Sequence, residues 1–226
     1  MNEITFESVK DFIYNTLIAD KPLEEQMKLY QSVADQYQEI CDASVYNYPE
    51  IVATEFLYFN LPRDSRILDV GAGTGLLERL LYKSGFTNID ALDGCEEMLQ
   101  KAKESNSNYK NYIIARVVKD EPLPVEQNTY DVALMSGSAS PAHIDVDAYP
   151  QIIRVVKPGG IIGWIIETEE IFAKVNSKYQ NGAYKKSLQR FVLQNLLTPI
   201  EGFNPKPVEN SLFYNVPAEV YFFKVV

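Results

Sequence analysis

The apolar positions of this chain change period along its length, and each change marks a change of expected structure. Over residues 1–60 they recur at helical spacing. Phe6, Val9, Phe12, Ile13 and Leu17 form one stripe, which Pro22 interrupts. Leu23, Met27, Tyr30, Ala34 and Tyr37 form a second. A third helix is expected from Pro49, a favourable first-turn residue, through Phe56. From residue 64 to 167 short apolar runs alternate with helical stretches. RILDV, NIDALD, YIIA, DVALMS and GIIGWII read as strands; GLLERLLYKSG, CEEMLQKAKES and DAYPQIIRVVK read as helices. Gly85 stands where a helix stop belongs, and Lys157-Pro158-Gly159-Gly160 reads as the turn into the fifth strand. The alternation predicts an α/β fold with a doubly wound, mostly parallel sheet. Beyond it, a helix is expected over about Ser177–Leu197, followed by a Pro-rich connection from Thr198 to Pro207. The runs SLFYN and VYFFKVV, around Val216-Pro217-Ala218-Glu219, predict an antiparallel hairpin at the sheet edge.

Composition narrows the class. With 226 residues, 46% of them hydrophobic, the chain suits a single compact unit. Within it, residues 1–60 are expected to be a helical cap over a ligand site and residues 61–226 the main domain. No apolar run approaches the ~20 residues of a membrane helix. The start, MNEITFESVKDF, lacks the basic-then-apolar order of a signal peptide, so a cytoplasmic setting is expected, with no membrane partner. A net charge of −10 opposes a phosphate backbone. The strongest basic cluster, Lys185-Lys186 with Arg190, reads as a solvated helix face, so no nucleic-acid partner is expected. Cys41 and Cys95 lack metal-ligand spacing and imply neither a disulfide framework nor a metal site.

Candidate chemistry gathers at the carboxyl ends of the strands. Gly71, Ala72, Gly73 and Gly75 follow a strand ending in Asp69-Val70 and open a helix at Leu76. Glycines there allow a tight turn, and a helix N-terminus offers free N–H groups. The dinucleotide pattern G-x-G-x-x-G requires a third glycine at position 76, where this chain has Leu. Asp93, with Gly94 behind it, ends the second strand near the offset at which an acid meets a ribose diol. Ser136-Gly137-Ser138-Ala139-Ser140-Pro141-Ala142-His143 follows the fourth strand. His143 is the only histidine, and its type suits a general base. Asp145 and Asp147 read as helix caps before Tyr149, with orientation of His143 as the alternative. Tyr30, Tyr37, Tyr46, Tyr48, Phe56, Tyr58 and Phe59 are candidates for an aromatic pocket, and equally for core packing.

ILDVGAGTGLL, ALDGCEEMLQKAK and RVVKPGG together resemble the motifs of class I S-adenosylmethionine-dependent methyltransferases. LYQSVADQYQEICDASVYNYPEIVATEF and EPLPVEQNTYDVALMSGSASPAHI are similar to segments of the methyltransferase-like protein 27 (Williams–Beuren region) family. The resemblance covers roughly residues 29–170. It implies a seven-stranded sheet, S-adenosyl-L-methionine as cofactor, and methyl transfer. By motif, Asp69, Gly71, Ala72, Gly73, Asp93 and Gly94 line the cofactor site. Ser136 and Gly137 lie under the methionine portion, Met98 lies near adenine, and Tyr30 and Tyr37 belong to a covering helix. One departure is visible: Arg116 stands where many relatives carry an acid that accepts from adenine, and Arg has no acceptor. The expected acceptor is a small molecule. The rival readings are a cofactor-binding partner without methyl transfer, a protein methyltransferase, and a nicotinamide-dependent oxidoreductase.

Overall fold

A computed structural model describes residues 21–44, 46–174, 176–212 and 216–226. The stripe from Phe6 to Leu17 lies outside these residues. The described chain opens with α1 (Leu23–Val33), a 3-10 turn at Ala34–Gln36, α2 (Tyr37–Ala43) and α3 (Tyr48–Leu57). The second predicted stripe is thus two helices. The 3-10 turn breaks it just before Tyr37 and lets that side chain swing back toward Tyr30, with ring centroids 6.0 Å apart. Pro49 sits in the first turn of α3, where its missing N–H costs no helical bond.

The alternating region follows as β1 (Ile67–Val70), α4 (Leu76–Lys83), β2 (Ile89–Asp93), α5 (Glu96–Glu104), β3 (Tyr112–Ile114), β4 (Tyr130–Ser136), α6 (Tyr149–Val155) and β5 (Val156–Glu167). Strands 1 to 5 pair in parallel in the order β3-β2-β1-β4-β5. Gly85 does end its helix: its φ is +93° and the Phe86 N–H bonds back to the Leu81 carbonyl. The Lys157–Gly160 turn is a bulge at the start of β5, where the register with β4 jumps from Val156 to Ile161.

A short helix, α7 (Glu169–Phe172), leads to α8 (Ala183–Leu193), β6 (Leu197–Pro199), β7 (Lys206–Leu212) and β8 (Val216–Val225). The helix expected over Ser177–Leu197 is shorter than predicted. Asn181 and Gly182 both take positive φ, +56° and +74°, which a continuous right-handed helix excludes. An antiparallel hairpin is present as β7 and β8, with β8 antiparallel to β5, but Val216-Pro217-Ala218-Glu219, expected between its strands, belongs to β8, and β7 begins at Lys206 within the expected Pro-rich connection. β6 pairs Phe223–Val225 of β8 and β7 pairs Val216–Val220, so both lie along one edge. The sheet therefore has eight strand segments in seven positions, against the seven strands expected.

Residues of one strand alternate between two cores. Leu68, Ala133 and Met135 face α6 and α8 with Trp164, Tyr149 and Phe191. Ile67, Val132 and Leu134 face α3 and α4 with Val52, Phe56, Leu81 and Phe222. Period-2 alternation is invisible in the sequence because both faces are buried. Gly163 is required where β5 meets β8: an added Cβ comes within 2.1 Å of the Phe222 ring, itself wedged against Phe59 and Phe203. Gly163→Ala is expected to destabilise the fold by about 1–3 kcal/mol by overpacking, read as a lowered urea midpoint. An unchanged midpoint contradicts this packing.

Candidate active site

β1, β2 and β4 end side by side at Val70, Asp93 and Ser136, the edge where ligands of doubly wound sheets bind. The turn after β1 is built from left-handed glycines: φ is +72° at Gly71, +54° at Gly73 and +84° at Gly75. Gly71 has no room for a side chain, since a Cβ there meets Ser138 Cβ at 2.3 Å. Gly73 has open space, its nearest neighbour being Met98 Cε at 3.5 Å. The first leaves the turn close-packed and the second leaves it approachable.

The turn itself engages four of its N–H groups within the protein. Gly71 and Ala72 donate to the Leu92 carbonyl at 2.7 and 3.1 Å, Gly73 to Asp93 Oδ2 at 2.8 Å, and Gly75 to the Ala72 carbonyl at 3.0 Å. A pyrophosphate cradle depends on such groups pointing outward. Here they tie the turn to the end of β2.

Asp93 is the centre of that tie. Its Oδ2 accepts from Gly73 and its Oδ1 from the Cys95 N–H at 2.8 Å. Burial raises its pKa, opposed by the N–H bonds from Cys95, Gly73 and Gly94. Each carboxylate oxygen keeps a further lone pair, so a diol can still be accepted. Asp69 lies deeper, 1% exposed, and takes a 2.6 Å hydrogen bond from the Tyr109 hydroxyl. Burial pushes its pKa up to about 7.

The cavity at the strand ends gathers most of the expected residues: Gly71, Gly73, Asp93, Gly94, Met98, Ser136, Gly137, Tyr30, Tyr37 and His143. Asp69 and Ala72 line a smaller adjoining space that shares Gly71, Gly73 and Ser136. Among the flanking aromatics, Tyr46 also lines the cavity at the strand ends. Its hydroxyl donates to the Ser136 carbonyl at 2.9 Å, and a Cβ on Gly137 falls 1.9 Å from that oxygen. Tyr48 and Phe56 are core residues, Phe59 packs on Phe203 and Phe222, and Tyr58 is 76% exposed.

His143 sits on the loop after β4, which an Ala139–Ile144 bridge holds folded. Its Nδ1 lies 2.7 Å from Ser140 Oγ, and its Nε2 lies 2.7 Å from the Tyr30 hydroxyl and 3.2 Å from Gln26 Nε2. Burial lowers its pKa to about 4, so the ring is neutral at pH 7. The neighbouring acid does not orient it: Asp145 Oδ1 accepts from the Asp147 N–H and caps the short 3-10 turn before α6. Gln26 and Ser140 were not singled out from the sequence. Both carried a signal, since Gln26 lies one helical turn before Tyr30 and Ser140 three residues before His143.

These residues fit S-adenosylmethionine. The Gly73 side of the turn is open, Met27 and Met98 offer apolar surface, and Tyr30, Tyr37 and Tyr46 offer ring faces. Ser136 Oγ is buried without a hydrogen-bond partner among the described residues, a polar atom left for a ligand. Arg116 also lines the cavity, with its Cγ 2.8 Å from where a Gly94 Cβ falls. This side of the cavity is lined by Ala115, Arg116 and Val117, with Arg116 where the acid was expected. Among the described residues no group of three or more His, Cys, Asp or Glu is placed to hold a metal ion.

Comparison with known proteins agrees with the geometry. A family model described as a methyltransferase domain matches residues 67–160. Methyltransferase-like protein 27 of Homo sapiens is 30% identical over 143 residues, 62% of this chain and 57% of that one. A malonyl-[acyl-carrier protein] O-methyltransferase of Buchnera aphidicola is 31% identical over 135 residues, 56% of this chain and 51% of that one. The chain spans about half the length of these curated relatives. Among solved structures, an S-adenosylmethionine-dependent methyltransferase of Leishmania major superposes with a TM-score of 0.57 at 16% identity, over 97% of this chain and 82% of its own, which shows a shared fold. Residues 67–160 thus match a methyltransferase domain, and the seven-position sheet is the fold of the solved S-adenosylmethionine-dependent methyltransferase.

Proposed function

We propose that the chain transfers a methyl group from S-adenosylmethionine to a small molecule. The observation that carries this reading is the glycine turn in which the N–H groups of Gly71, Ala72, Gly73 and Gly75 are spent inside the protein. Such a turn suits a nucleoside with a cationic sulfur better than a pyrophosphate, which argues against a nicotinamide dinucleotide. When bound, the cofactor supplies an electrophilic methyl group on sulfur.

The protein holds and orients. Asp93 takes the ribose hydroxyls; Gly71, Gly73 and Gly94 allow close approach; Met98 packs near adenine. Asp69 and Ala72 shape the turn from behind, and Ser136 and Gly137 receive the methionine portion. The faces of Tyr37 and Tyr46 suit a sulfonium cation. Gln26, Met27 and Tyr30 of α1 line the cavity opposite the strand ends, so the N-terminal helices act as a cap that excludes water. This covered access and the net charge of −10 favour a small acceptor over a polyanion. Two free, buried cysteines suit a reducing, cytoplasmic setting. The rate then comes from orientation and desolvation, with no covalent enzyme intermediate.

The test uses methyl-labelled cofactor, the purified chain and a whole-cell extract separated by size afterwards. Label is expected in the low-mass fraction and is lost with Asp93→Ala. Label in protein overturns the small-molecule acceptor. Tight cofactor binding with no incorporation in either fraction means a binding partner without transfer.

A further inference from the structure

We propose that Tyr30, backed by His143 and Ser140, is the proton path of this site, and that the methyl acceptor is therefore a hydroxyl-bearing small molecule such as a phenol or enol. This rests on the methyltransferase reading and deepens it.

The placement of Gln26 sets the direction of the path. Gln26 turns its amide nitrogen, which only donates, toward His143 Nε2 at 3.2 Å, and the Tyr30 hydroxyl lies 2.7 Å from the same nitrogen, so we assign Nε2 as the acceptor of both. The hydrogen then belongs on Nδ1, which donates to Ser140 Oγ at 2.7 Å. Both ring nitrogens are engaged, so the imidazole does not meet the acceptor directly. Tyr30 lines the same cavity as Gly73, Asp93 and Ser136, and its oxygen bridges that space to the ring. Burial keeps the ring neutral at pH 7, so Nε2 holds its lone pair toward the Tyr30 hydroxyl, and the same burial makes the imidazolium a transient species.

The chemistry of the acceptor follows. An amine sheds its proton to water before it attacks, and a thiol ionises readily near neutral pH, whereas a phenol or enol stays largely protonated there. A hydroxyl oxygen that gains a methyl group must lose its proton in the same event. A proton path is useful for that class. The acceptor oxygen's lone pair forms the O–C bond while the C–S pair stays on sulfur. The acceptor's proton passes to Tyr30 Oη as Tyr30's own proton passes to His143 Nε2. The resulting imidazolium holds Ser140 through Nδ1–H and releases one proton to water as product leaves. Tyr30 touches the acceptor; His143 and Ser140 act through it.

A single histidine makes the path directly observable. Long-range proton–nitrogen correlation spectra are recorded with S-adenosylhomocysteine present. They are expected to show Nδ1 protonated and Nε2 bare at pH 7, with the Nε2 resonance displaced in Tyr30→Phe. With labelled cofactor and a panel of phenols, enols, amines and thiols, Tyr30→Phe and His143→Gln are each expected to lower kcat about 100-fold. The cofactor Kd, measured by calorimetry, stays within about threefold, since neither change removes a group assigned to tying the turn. Glutamine can still accept the Tyr30 hydrogen bond but cannot take the proton, so a purely structural role predicts rescue by His143→Gln. Protonated Nε2, wild-type turnover in His143→Gln, or methylation confined to amines and thiols each overturns the proposal. So does a panel left entirely unmethylated while the cofactor binds. Absence of cofactor binding by the unaltered chain is a different result, and it overturns the underlying reading.

Discussion

Asp93→Ala is expected to weaken S-adenosylmethionine binding by about a hundredfold or more in calorimetric titration. The carboxylate makes two 2.8 Å bonds that tie the Gly73 turn and the start of α5 to the end of β2. A hydrogen bond to a charged group is worth about 1.5–3 kcal/mol, and both ties are lost together with the acceptor for the ribose. A deficit of about 3 kcal/mol corresponds to roughly a hundredfold in Kd. Asp93→Asn keeps one acceptor oxygen and is expected to fall between the two. Equal affinity in the wild type and Asp93→Ala contradicts the assignment of this residue.

The second large effect is on stability against pH, at Asp69. Its folded carboxyl titrates at about 7 because burial disfavours the charge, whereas an unfolded Asp titrates near 3.9. The fold prefers the protonated form. Its stabilising contribution is complete below about pH 4, declines as pH rises, and is gone above about pH 7. The span corresponds to about 4 kcal/mol. Asp93, Glu78 and Glu167 are also raised by burial and act in the same direction. Asp69→Asn keeps an acceptor for the Tyr109 hydroxyl and removes the titration. Unfolding free energies from urea titrations between pH 4.5 and 8 are expected to fall steeply in the wild type and by about 3 kcal/mol less in Asp69→Asn. Parallel profiles contradict the buried, protonated carboxyl.

Much of this architecture is legible in the chain. The parallel core shows as RILDV and DVALMS because strands buried on both faces are continuous apolar runs. Gly85 and Pro49 marked helix ends because each has one conformation it alone tolerates well. The break at Ala34–Gln36 was not legible: the apolar stripe runs on, and the turn accompanies packing of Ala34 on Cys95 and Met98 and of Tyr37 near Tyr30, which only the folded chain brings together. The shortened helix before β6 was missed although Asn181-Gly182 is a turn signal, because the flanking apolar spacing outweighed it. At the site, Gly71, Gly73, Asp93 and Ser136 were found through strand ends, which follow from topology. The His143 network was half legible. The histidine stood out as unique, but its partners Tyr30 and Gln26 lie more than a hundred residues away, and only the folded chain brings them together.

The central claim, that the space above Gly73 is a site for S-adenosylmethionine, is tested most directly by thermal titration of the unaltered chain with that cofactor and with NAD. The account predicts a saturable rise in Tm with S-adenosylmethionine, abolished in Asp93→Ala, and none with NAD. Stabilisation by NAD alone would contradict it.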